Sequence, residues 1–175
     1  DKAIEPFLIE HSFLQSKELI CVHFSVFIIS SLAFSAHPLI TFSDHFYSPQ
    51  FYSEIPFIIE KENMPFSALL PGFPNPHYKL EKRLKPLYHA VGVLVGNSTT
   101  LLWEKAAQVF RKELNLPPEL LERFLQSIVF NLKSSLKTDS EKSVLTGPFV
   151  RGDQITIEKN INALAGNSYQ AVYQA

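Results

Sequence analysis

An α/β layer followed by an all-helical region is the fold class that this sequence predicts, and three observations carry it. Runs of β-branched and aromatic residues crowd the first third, as in ICVHFSV (Ile20 to Val26) and IPFIIE (Ile55 to Glu60), and they read as buried strands. A proline-rich break, PGFPNPH (Pro71 to His77), interrupts the chain. Beyond it, apolar residues recur at helical spacing. We therefore expect a sheet-bearing unit over residues 1–74 and a helical unit over residues 75–175.

The elements follow in order. Asp1 to Leu14 reads as a helix capped by Asp1, with Ile4, Phe7, Leu8 and His11 on one face. Leu19 to Val26 is a buried strand. Ser31 to Ala36 is a second, halted by His37-Pro38, with a turn around Ser30-Ser31 between the two. Ile55 to Glu60 is a third, and Pro56 lies near its start, where a missing donor is tolerated. The connection TFSDHFYSPQFYSE is too long for a simple turn, which makes it a candidate for function.

Past the break, Pro86 suits the first turn of a long helix reaching about Leu114. Pro117 and Pro118 open another, with Leu120, Leu121, Phe124, Leu125, Ile128 and Leu132 as a broad apolar face. The polar run Lys133 to Ser143 is expected to be a loop. Asp153 or Thr156 caps a third helix, which carries Ile157, Ile161 and Leu164 and ends at Gly166. Ser168 is placed to cap a last one bearing Tyr169, Val172 and Tyr173.

Bulk properties narrow the function. A formal net charge of -1 gives no overall attraction to nucleic acid or anionic membrane. The single cysteine, Cys21, cannot close an internal disulfide and fits a reducing, cytoplasmic compartment. Ile20 to Ser43 carries no formal charge and is long enough to span a bilayer. Its His23, His37, Pro38 and serines favour buried strands instead, so no membrane span is expected. The six histidines lack both the i, i+4 spacing of a helical metal site and cysteine partners, and no metal is expected. Neither a Gly-x-Ser-x-Gly elbow nor a Walker loop is present, and no glycines stand in the GxGxxG spacing that cradles a pyrophosphate.

Within LYHAVGVLVGNSTTLLW, the residues His89, Gly92, Gly96, Thr100 and Trp103 fall on one helical stripe, with Asn97 at its flank. Each interior glycine costs a helix about 1 kcal/mol against alanine, so two on one stripe imply close approach of something. Either a second helix packs there, or a ligand meets His89, Asn97 and Thr100. His37-Pro38 ends a strand, where open α/β sheets place ligands, and the histidine suits acid/base work or a loop position before a structural proline. His23 and Ser25 share the opposite strand face from Phe24, so they satisfy each other in the core or look into a cleft. Finally, LTGPFVRGD holds an Arg-Gly-Asp triplet, an adhesion signal in secreted chains. One cysteine and no leader argue against that use, while Gly147-Pro148 makes a turn and Asp153 a helix cap.

Four stretches taken together resemble one family: VHFS (Val22 to Ser25), AHPLITF (Ala36 to Phe42), LYHAVGVLVGN (Leu87 to Asn97) and LTGPFVRGDQITIEKNINAL (Leu145 to Leu164). The chain resembles the C-terminal two thirds of NAD(P)-dependent oxidoreductases that join a Rossmann-like N-terminal domain to a helical C-terminal domain of unknown function. These are similar in turn to the 6-phosphogluconate dehydrogenase and prephenate dehydrogenase group. The family motif has glycine after the serine, where this chain has Val26. The resemblance implies the remnant of a Rossmann-like sheet followed by a 6-phosphogluconate-dehydrogenase-like helical domain, with the phosphate-binding loop upstream of Asp1 and the chain truncated at its N-terminus. It implies catalytic roles for His89 as proton donor, Asn97 as substrate positioner and His37 beside the nicotinamide. His23, Ser25 and Pro38 would flank the cofactor, NAD or NADP. Thr100, Thr146, Arg151 and Asp153 would meet a small carbonyl or hydroxy substrate. The implied partner is a second copy, through the helical domain. The alternative function is a non-catalytic dimerisation or ligand-binding module, in which the glycine stripe is only a helix contact. Without the loop, this stretch alone is expected to have little cofactor affinity and poor solubility.

Overall fold

In a computed structural model, which describes residues 2–17, 19–62, 64–137 and 145–175, the chain divides into two compact units, Asp1–Lys105 and Ala106–Ala175. The capping role expected of Asp1 and most of the loop expected at Lys133 to Ser143 lie outside the described residues.

The first unit is built on a mixed four-stranded sheet in the order β1-β2-β3-β4: β1 (Val22–His23), β2 (Phe34–Pro38), β3 (Phe57–Glu60) and β4 (His77–Leu80). β1 runs parallel to β2, β2 antiparallel to β3, and β3 parallel to β4. The expected turn at Ser30-Ser31 is therefore not a hairpin, since two parallel strands need a longer return path. Ser30 serves that path by accepting a bond from the Leu32 amide on its Oγ. The first expected strand shrinks to two residues, and the second extends through His37-Pro38 rather than stopping before it, because Pro38 ends the ladder in register with Phe57. β4 follows the proline-rich break directly, where the apolar pattern alone suggested helix. It has one side of its ladder on β3 and its side chains are mostly exposed, so it lacks the apolar signature of a central strand.

Strand alternation sends Ala36, Phe57 and Ile59 to one sheet face, where they form the core with Phe66 and Leu69 of α3 (Phe66–Leu69). The other face carries Ser35, His37, Ile58 and Glu60. The long connection holds a short helix, α2 (Pro49–Glu54), whose N-cap Ser48 accepts from the Phe51 amide. Before the sheet, α1 (Ile4–Glu10) buries only Leu8, and Phe7 stacks on His11 at 4.3 Å instead of entering the core.

After β4 comes one long helical run: α4 (Lys85–Val93), a π-helical turn at Leu94–Ser98, and α5 (Thr99–Lys112). In the second unit α6 (Leu120–Leu136) continues four residues, Lys133 to Leu136, into the run expected to be loop. Of its apolar face only Leu121 is buried, while Leu120, Phe124 and Leu132 are exposed. α7 (Pro148–Arg151) ends at Gly152 in the left-handed region (φ 64°), which a glycine reaches without steric cost. Asp153 then caps α8 (Gln154–Ala163): its carboxylate accepts from the Thr156 amide at 3.1 Å and the Thr156 hydroxyl at 2.7 Å. α9 (Gln170–Gln174) has Tyr169, not Ser168, at its N-cap position.

Candidate functional site

Lys85 decides where the long helix lies. Its ammonium group, 3% exposed, donates to Glu60 Oε1 at 2.7 Å and to the Ile28 carbonyl at 2.5 Å. Glu60 is also buried, with Lys82 Nζ 3.5 Å from its other oxygen. A buried charge is tolerable only when paired and hydrogen-bonded, so this pair pins the first turn of α4 to the end of β3. One turn on, the Tyr88 hydroxyl lies 3.0 Å from Nδ1 of His37 on β2, with the two rings edge to face at 5.7 Å. The helix then passes the segment that follows β2.

Between that segment and the helix runs a groove of about 450 Å³, lined by Val26, His37, Leu39, Ile40 and Thr41 from the sheet side. Tyr88, His89, Gly92, Val93, Val95, Gly96 and Asn97 line it from the helix. The volume falls within the roughly 300–1,000 Å³ of small-molecule sites, and an apolar wall with a few convergent polar groups is their usual make-up. Gly96 and Asn97 belong to the π-helical turn, a local irregularity found often at functional sites. A methyl group added at Gly92 or Gly96 would meet no atom within 4 Å. Among the described residues the glycines thus face open space and not a packed helix.

Burial lowers the His37 pKa below 6.5, and the positive charges of His89 and Lys85 push it the same way. Burial raises the Tyr88 pKa. Both groups are therefore neutral at pH 7, and the contact between them joins two uncharged hydrogen-bonding groups. His89 also lies against Phe27, with ring centroids 6.1 Å apart.

The remaining candidate residues are placed differently. Thr100 donates its hydroxyl to the Gly96 carbonyl at 3.1 Å, bonding back along its own helix. Pro38 is buried at the end of β2 and borders a separate aromatic cavity with Phe24, Phe42 and Phe73. His23 and Ser25 are buried but do not satisfy each other: Ser25 Oγ accepts from the Ile28 amide at 3.3 Å. Neither ring nitrogen of His23 has a hydrogen bond of acceptable geometry among the described residues. Its pKa is lowered, first by burial and then by Lys85. Thr146, Arg151 and Asp153 lie in the second unit. Arg151 is exposed and has no salt bridge to Asp153 among the described residues, while Thr156 holds the Asp153 pKa below its usual value.

Two contributors escaped the sequence reading, Tyr88 and Lys85. A lysine at the head of a helix reads as solvated, and a tyrosine beside a histidine on a different stripe draws no notice. The available signal was their spacing: Lys85, Tyr88 and Gly92 stand i, i+3, i+7, a stripe of their own. Among the described residues no group of three or more His, Cys, Asp or Glu is placed to hold a metal ion, and no helix is long and apolar enough to cross a membrane.

Residues 56–175 match the family model of the Domain of unknown function (DUF2520). The fold is similar to that of a candidate NADP oxidoreductase from Bacteroides fragilis, at a TM-score of 0.71 and 22% identity over 94% of this chain and 69% of that one. It is also similar to a Thermotoga maritima protein, at 0.68 and 23% identity over 89% of this chain and 65% of that one. The chain thus spans about two thirds of the length of each. No curated protein matches it.

Proposed function

We propose that this chain, which belongs to the DUF2520 family, forms the substrate side of a nicotinamide-dependent oxidoreductase site acting on a small carbonyl or hydroxy compound. One observation carries the reading: His37, His89 and Asn97 line one groove beside two glycines that leave it open. The fold shared with the Bacteroides fragilis protein supports the same class of chemistry. The helical region would be the substrate and dimerisation part, and the exposed apolar residues of α6 are a surface suited to a second copy.

The groove fits the nicotinamide end of the cofactor better than its phosphates. Its walls are apolar, glycine leaves space for a flat ring, and Thr41 and Asn97 offer amide-matching polar groups. Among the described residues no lysine or arginine lines it, and GxGxxG is absent from this sequence. The cofactor, when bound, would supply or accept hydride. The chain's part is then to orient the substrate and move a proton. His89 would give a proton to the carbonyl oxygen as carbon is reduced, or take it back in oxidation, and Asn97 would hold that oxygen in place. NAD and NADP are both compatible with the groove.

The test is titration of the isotopically labelled chain with reduced nicotinamide mononucleotide, followed by NMR. Weak, saturable shifts at His37, His89 and Asn97, lost in Gly92→Leu, are expected. Shifts scattered elsewhere, or none, would reject the reading. The second reading is a non-catalytic dimerisation module. A concentration-dependent dimer lost on Phe124→Glu, without any nicotinamide response, would favour it.

A further inference from the structure

We infer that Tyr88 is a positioning residue: its hydroxyl donates to Nδ1 of His37 and holds that imidazole as the Nε2–H tautomer, presenting a donor for a ligand in the groove. The inference rests on the groove being the oxidoreductase site proposed above.

Geometry comes first. The hydroxyl and Nδ1 are 3.0 Å apart, a normal hydrogen-bond length, and the edge-to-face rings leave the imidazole little freedom to flip. A bond of this length has two polarities. A phenol is a stronger hydrogen-bond donor than acceptor, and a neutral imidazole nitrogen is a strong acceptor, so O–H to Nδ1 is the better arrangement. No other acceptor for the Tyr88 hydroxyl is seen among the described residues. With Nδ1 occupied as acceptor, the proton must sit on Nε2.

The surroundings oppose the charged alternative, in which both nitrogens would donate. On α4, Lys85 holds positive charge near His37, and repulsion with His89 also disfavours a charged His37. On the sheet side, Ser35 and the paired Glu60 share with Lys85, Tyr88 and His37 the lining of a cavity of about 10 Å³. Glu60 is already committed to Lys85 and Lys82, so it does not act as a counter-ion for His37. The hydrogen bond seen for His37 among the described residues is the one at Nδ1, and His37 lines the groove. A neutral imidazole fixed as an Nε2 donor suits a carbonyl oxygen, which accepts and cannot donate.

The experiment needs neither cofactor nor substrate. Long-range proton–nitrogen NMR on the uniformly labelled chain is expected to show His37 with protonated Nε2 and bare Nδ1 near neutral pH. In Tyr88→Phe the ring should shift to a tautomer mixture. A His37 protonated at Nδ1 in the wild type would overturn the inference, as would an unchanged pattern in the folded variant. If Tyr88→Phe does not fold, the wild type still decides, because the Tyr88 Cζ resonance must move with the His37 titration. A Tyr88 resonance indifferent to that titration also overturns it. Failure of the nicotinamide titration leaves these tautomer results standing, so the two readings fail separately.

Discussion

Replacing Lys85 by methionine tests the anchoring of the whole groove. The substitution keeps the unbranched stem and removes the ammonium that bonds Glu60 at 2.7 Å and the Ile28 carbonyl at 2.5 Å. Glu60 is 4% exposed, so its carboxylate would stay buried without its nearest counter-ion. Breaking such a pair from one side costs about 3–5 kcal/mol. Lys82, 3.5 Å from the second oxygen, retains part of the compensation. We therefore expect a loss near the low end, about 3 kcal/mol. That is a large share of the roughly 5–15 kcal/mol by which domains are stable. Urea denaturation followed by far-UV circular dichroism should show the midpoint falling by roughly 1.5 M, at an m-value of about 2 kcal/mol/M. The double variant Glu60→Leu with Lys85→Met removes both charges and should return to within about 1 kcal/mol of wild type. A single-variant loss under about 1 kcal/mol would refute the argument, as would a double variant no better than the single.

Other outcomes follow from the same geometry. Gly92→Ala should stabilise α4 by up to about 1 kcal/mol, since a methyl group there meets nothing; a lower denaturation midpoint would show that the space is occupied. His23→Leu removes two buried nitrogens that lack hydrogen bonds among the described residues, so it should be neutral or stabilising by about 1 kcal/mol. A clear destabilisation would mean that the imidazole has a partner. His23 and His37 both have pKa values lowered from 6.5, so the native state binds fewer protons than the unfolded state. Their stabilising effect is complete above about pH 6.5 and is lost as pH falls through the lowered native values. Denaturation midpoints measured from about pH 7.5 to about pH 5.5 should fall less steeply in His23→Leu than in wild type. Equal slopes would contradict the burial argument.

Local patterning made much of this chain legible. Prolines marked the start of each long helix, Pro86 in the first turn of α4 and Pro118 just ahead of the N-cap of α6, because a ring without an amide hydrogen is not tolerated further into a helix. Asp153 was readable as a cap from its place before QITIEKN, and that same geometry explains the Arg-Gly-Asp triplet as a corner between α7 and α8. The stripe of His89, Gly92 and Gly96 was visible because side chains three and four apart share a helix face. His37 stood out by its position at the end of an apolar run.

Pairing between distant segments was not legible. Nothing local distinguishes a hairpin from the parallel pairing of β1 and β2, since both bury the same apolar residues and differ only in chain direction. β4 becomes a strand because the β3 backbone beside it offers unpaired hydrogen-bonding groups, a reason its own mostly exposed side chains do not display. The spacing of His23 and Ser25 left open whether they satisfy each other or look into a cleft, and the fold gives the Ser25 hydroxyl to the Ile28 amide instead of the imidazole. Above all, Lys85 and Tyr88 acquire their roles from Glu60 and His37, 25 and 51 residues away in sequence. The sequence by itself determined which residues could line a groove, because helical and strand periodicities act within a few residues. Only the tertiary structure decided that His37 would meet the helix, because burying one ion pair set where that helix could lie.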